Sequence, residues 1–80
     1  MSLFLEDAER LHRDAEYALN SANADESSCE HMVSKNPTEE NKKWLKRARL
    51  KACIMQNVVS ELSGLVEITK EEEEIMNEKN

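Results

Sequence analysis

Turn formers are nearly missing from this chain, with one glycine and one proline among 80 residues. A β-sandwich or barrel needs a turn signal every few residues, so this shortage argues for long helices with one connection. No apolar run approaches the ~18 residues of a membrane span. Met1 to Arg10 lacks the basic, apolar, then small-residue order of a secretory signal, and a cytoplasmic protein is expected. The net charge of −6 repels phosphate backbones and acidic membrane surfaces. The expected partner is therefore a protein, either a helical one or a second copy in a homo-oligomer, with no membrane and with nucleic acid disfavoured.

Chemical equipment is equally sparse. Cys29 and Cys53 are the only cysteines. In a hairpin turning near Asn36 they would sit about ten residues, or ~15 Å, apart along the axis at ~1.5 Å per residue. That exceeds the ~7 Å that a disulfide tolerates between Cα atoms, so two buried or half-buried free thiols are expected. Cys29 and His31 diverge by ~200° on a helix, and His12 lies far away. With no Cys-x-x-Cys or His-x-x-x-His, neither a metal site nor a cofactor is expected. A Gly-rich phosphate loop is absent too, and a two-helix hairpin offers no pocket in which a nucleophile, a base and an orienting group could meet. The chain reads as a non-enzyme with no catalytic residues, its many Asp and Glu side chains forming a solvated face.

What is present is heptad order. Phe4, Ala8, Leu11, Ala15, Ala18, Ala22, Cys29 and Met32 follow alternating spacings of four and three, with Asp25 in the one polar slot. This predicts a first helix over about residues 3–33 that buries a narrow, alanine-rich seam. Asp25 either falls where the helix has ended or faces a basic residue such as Arg47. Asn20 to Ser28 is rich in Asn, Ser and Asp, whose side chains compete for backbone hydrogen bonds, so a weakened or frayed middle is expected. Asn36 then suits an N-cap, Pro37 the first helical position, and Glu39 the acid of a capping box. The turn is therefore placed near 34–37.

Leu45, Ala48, Ala52, Met55, Val59, Leu62 and Val66 set the second helix, over about residues 37–68. Gly64 could cap it, but the apolar pattern runs on through Ile68. The remainder, 70–80, contains Glu71-Glu72-Glu73-Glu74 and reads as an acidic tail that frays. The predicted fold is all-α, an antiparallel, coiled-coil-like two-helix hairpin over 1–69, assembled as a dimer or with a partner. Small residues of helix 1 then meet large ones of helix 2, with Ala18 near Met55, Leu11 near Leu62 and Ala8 near Leu65.

Helix 2 carries a further apolar set. Leu50, Ile54, Val58, Leu65 and Ile68 are displaced from the first set by a quarter to a third of a turn, and Trp44 lies at its edge. One alanine-lined helix cannot cover so wide an arc, and an exposed apolar patch marks an interaction surface. These six residues are the candidate partner-binding site. Tyr17 falls outside the seam and is expected to be exposed. Lys42, Lys43, Lys46, Arg47, Arg49 and Lys51 form a basic cluster near Trp44, but it is spread around the helix and preceded by Glu39 and Glu40 at pairing distance.

Length, the hairpin and the short connection at Lys35-Asn36-Pro37, followed by Trp44 and the apolar run Ile54 to Leu65, resemble the small E-type (YscE-like) subunits of type III secretion systems. The resemblance covers about residues 4–68. It implies a short cytosolic hairpin that pairs with a TPR-like co-chaperone and helps hold a needle subunit unpolymerised. The Asn36-Pro37-Thr38-Glu39 turn and the acidic tail have no counterpart in that pattern, and no functional residue carries over. The expected function is thus a protein-interaction module, a chaperone or adaptor binding a helical partner through helix 2. Two alternatives are a small phage-type inhibitor or antitoxin-like protein using its acidic surface, and a Rop-like dimeric RNA binder using the basic cluster.

Overall fold

The computed structural model describes residues 3–78, so Met1 and Ser2 of the expected hairpin and Lys79 and Asn80 of the expected tail lie outside it. Two helices, α1 (Leu3–Lys35) and α2 (Glu39–Glu78), make up the described chain. They fold back on each other as an antiparallel hairpin measuring 64 × 14 × 13 Å. Leu5 and Ala8 near the start of α1 form a cluster with Val66, against which Leu65 also packs. This is the pairing register that the two heptads predict.

The reversal is tighter than the sequence suggests. Asn36 N donates to Met32 O at 2.8 Å, completing the last turn of α1, and Pro37 then bars further helix. The N-cap is Thr38 rather than Asn36: its Oγ1 accepts from Asn41 N at 3.1 Å, and its carbonyl accepts from Lys42 N at 3.0 Å. α2 accordingly starts at Glu39, not Pro37. Asn41 takes the place expected of a capping-box acid, and its side-chain Nδ2 reaches back to Asn36 O at 2.8 Å. No described residue adopts a positive φ, so the turn makes no demand for glycine. Replacing Thr38 with alanine should cost about 1 kcal/mol, the usual worth of such a cap, measurable by urea denaturation.

Helix α1 is unbroken through Asn20 to Ser28, against the expected weak middle. Helix stability in proteins comes mainly from packing an apolar face, and Ala22, within this stretch, is only 2% exposed. Contact with α2 outweighs the local preferences of Asn, Ser and Asp.

The seam of α1 also differs from the expected one. The side chains turned toward α2 are Leu5, Ala8, His12, Ala15, Leu19, Ala22, Glu26, Cys29 and Val33, alternately three and four apart and all buried or half-buried. Phe4, Leu11, Ala18, Asp25 and Met32, assigned to the seam from sequence, are exposed. Both sets share Ala8, Ala15, Ala22 and Cys29, and the helix is rotated so that the other neighbouring row faces inward.

On α2 the expected seam holds and is extended by Asn41, Thr69 and Glu73. Instead of fraying after Ile68, α2 continues to Glu78. Thr69, 3% exposed, anchors that continuation by donating from Oγ1 to Leu65 O at 2.7 Å. With 40 residues against 33, α2 projects past the start of α1. Gly64 lies inside this helix rather than capping it, and a Cβ there would meet nothing within 4 Å. Gly64→Ala should therefore raise stability by about 1 kcal/mol, the helix-propensity difference between the two residues, seen as a higher thermal midpoint.

Candidate partner-binding surface

Naming the seam positions a and d places every other row. In an antiparallel pair the two e rows flank one side of the seam and the two g rows the other. The structure fixes which side is which. Glu9, Ser63 and Lys70 line one shallow hollow together with seam residues His12 and Val66. On that same side Arg49 Nε lies 3.7 Å from Glu26 Oε2. The e flank is thus polar, with Glu26 paired to Arg49 and with Glu9, Arg13, Glu67 and Lys70 sharing one hollow.

Asp25, Trp44, Arg47 and Lys51 line a hollow on the opposite flank, beside Ala22 and Ala48. Asp25 therefore faces basic residues of α2, as one of its two expected placements had it. The Arg47 guanidinium lies 5.7 Å from the centroid of the Trp44 ring, within cation–π range. Asp25 belongs to the g row of α1, so its rowmates Phe4, Leu11, Ala18 and Met32 lie along the same flank. The rotation of α1 that hid Leu5 and Leu19 has moved this second apolar row beside α2's own.

Along α2 the g row and its neighbour c form a continuous strip. In order it reads Trp44, Arg47, Lys51, Ile54, Val58, Glu61, Leu65, Ile68, Glu72 and Ile75, with spacings of three and four throughout. It is a second heptad, about 100° around the helix from the first. Trp44, Ile68 and Ile75 are exposed, and Ile54 retains 59% of its surface, while Val58 and Leu65 are half-covered by α1.

Five of the six residues singled out from sequence meet on this strip. Leu50 does not. It lies on the back of α2 and, with Lys42, Leu45, Lys46 and Arg49, lines a hollow toward the polar flank. Ile75 was missed because the acidic run around it reads as tail, and Leu11 and Met32 because they read as seam. Tyr17 is exposed, as expected. Cys29 is half-buried and Cys53 exposed, both as free thiols, so Cys53 is more accessible than the hairpin pattern implied. Lys42 and Glu39, 3.8 Å apart, form one of the expected intrahelical pairs.

Among the described residues no group of three or more His, Cys, Asp or Glu side chains could hold a metal ion. Among the described residues no helix is long and apolar enough to cross a membrane. No protein-family model matches the chain, and no curated protein or solved structure is significantly similar to it.

Proposed function

We propose that this protein is a non-catalytic chaperone or adaptor that receives a helical segment of another protein along the apolar flank of the hairpin. The observation that carries this reading is the second heptad on α2, lying beside the exposed apolar row of α1. A hairpin with apolar rows on only one flank offers a third helix a groove with two walls, and the polar flank opposite keeps the chain in solution. Seating an isoleucine from the strip against such a helix would remove most of its remaining apolar surface from water, worth roughly 1–2 kcal/mol per side chain at ~25 cal/mol per Å2. Pairing with a helical co-chaperone, as the resemblance to YscE-like subunits implies, is one form of this function.

The test is a substitution on the strip that spares the seam. Ile54→Asp should leave the helical circular dichroism nearly unchanged and weaken partner capture by at least ~30-fold, the scale of an interface hot spot. Val58→Asp should do the same with some loss of stability, because Val58 also touches the seam. Capture by tagged chain from extracts of its source cells, compared between wild type and Ile54→Asp, reads this out. Equal retention of every captured protein would sink the proposal.

A further inference from the structure

The polar positions of the strip are segregated by sign: Arg47 and Lys51 lie toward the turn, Glu61 and Glu72 toward the far end. The rest of the helix is weighted the same way, with Glu39, Glu40 and Lys70 running against it. Lys42, Lys43, Lys46, Arg47, Arg49 and Lys51 occupy its first third, whereas Glu61, Glu67 and the run Glu71 to Glu74 occupy its second half. A helix of this kind is complementary to itself when reversed, because its basic end then meets the acidic end of the second copy. We infer that the occupant of the apolar flank in the free protein is a second copy of the same chain, packed strip to strip with the two α2 helices antiparallel and the turns at opposite ends.

The residue spacing supports that partner in detail. Antiparallel strips pair each g position with a c position of the other helix. The register that lays Arg47 over Glu72 of the second copy also lays Trp44 over its Ile75 and Ile54 over its Leu65. Two-fold symmetry makes each of these pairs twice, as an isologous interface requires. Arg47 meets an opposite charge at Glu72, Glu61 lies over Val58 beside the two-fold axis with its carboxylate turned to solvent, and the Lys51 stem packs beside Ile68 of the second copy while its ammonium reaches outward. The projecting end of α2 is accounted for as well. Exposed Ile75 is the last residue of the strip, and the second copy lays its Trp44 against it.

The available area suffices. From Trp44 to Ile75 the strip is about 47 Å long at ~1.5 Å per residue and ~10 Å wide, a helix diameter. Counting both copies, it would bury roughly 900 Å2 from α2 alone, and the adjoining α1 rows carry the total past the ~1,000 Å2 of a specific interface. Four charged residues per copy inside the contact keep it exchangeable, so that a partner helix can replace the second copy. The inference rests on the reading of this flank as a protein-binding surface.

Light scattering on the full-length chain across a concentration series tests it. Wild type should pass from monomer to dimer at micromolar concentration, and Ile54→Asp should remain monomeric. Arg47→Glu should weaken the dimer at least ~10-fold by setting like charges together, and Glu72→Arg should do likewise. The second result is the more telling, because Glu72→Arg brings the net charge nearer zero and would tighten a dimer limited by overall repulsion. A chain carrying both reversals restores the opposite-charge pairs and should regain wild-type affinity. A chain that is monomeric up to ~0.5 mM, or single reversals that dimerise like wild type, would overturn the inference. If the chain is monomeric but Ile54→Asp still abolishes capture of another protein, the dimer fails and the binding surface stands. If Ile54→Asp alters neither assembly nor capture, both fail.

Discussion

Leu45→Ala is expected to lower stability by about 2–4 kcal/mol, the range for emptying a buried leucine site, whereas Leu50→Ala should change it by less than about 0.5 kcal/mol, as surface substitutions do. The two leucines are five residues apart on one helix, yet Leu45 is buried in the seam and Leu50 is 59% exposed on the outer side of α2. A thin core makes the first loss severe, since small chains bury little surface to begin with. At about 4–8 °C per kcal/mol for a chain of this size, Leu45→Ala should drop the thermal midpoint by about 8 °C or more. Urea denaturation followed by circular dichroism measures both variants. Equal costs at the two sites would mean that the seam of α2 is not where the structure puts it.

Enlarging the alanine row should be nearly as damaging. Ala8, Ala15, Ala22, Ala48 and Ala52 are all buried, so the two helices approach closely with little between them but methyl groups. A leucine at Ala22 cannot be housed without forcing the helices apart, a strain of about 1–3 kcal/mol. Ala18, four residues earlier, is exposed in the g row, and Ala18→Leu should be neutral for folding. This comparison separates the two possible orientations of α1. With the seam on the Phe4, Leu11, Ala18 row, both enlargements would destabilise; with the observed seam, only Ala22→Leu does.

That orientation is the part of the fold hardest to read from residues alone. The hairpin, its register and the seam of α2 follow from spacing, because Leu45 to Val66 is an unbroken apolar row at intervals of three and four. In α1 the inner row is alanine, flanked on one side by Phe4, Leu11, Ala18 and Met32 and on the other by Leu5, His12, Leu19 and Val33. Each flank carries one acid, Asp25 in the first and Glu26 in the second, and the first ranks as the more apolar because the second adds His12. The orientation seen belongs to the pair of helices: turning Glu26 inward sets it 3.7 Å from Arg49 and brings Leu5, Leu19 and Val33 into the seam. Single-helix periodicity carries no information about such a contact.

The candidate surface was half legible for the same reason. The excess of apolar arc on α2 is visible as soon as its seam is named, which is why Trp44, Ile54, Val58, Leu65 and Ile68 could be found. The contribution of α1 was hidden by its assignment to the seam, and Ile75 by the acidic run. Counted by composition, Glu71 to Glu74 look like a solvated tail. Counted by position, they occupy a helix whose Thr69 is buried and whose Ile75 continues a heptad begun at Trp44.

The 64 × 14 × 13 Å outline has a consequence for how this molecule moves through solution. Its radius of gyration is 18.3 Å, whereas a compact chain of 80 residues would have about 12 Å by the usual size scaling. A sphere-like protein would need roughly 260 residues to reach the same radius on that scaling. Drag rises with extension, so a single copy will migrate through a sieving column ahead of a compact chain of its own mass. Two copies packed side by side along the rod would thicken it more than they lengthen it, and elution would advance far less than the doubled mass suggests.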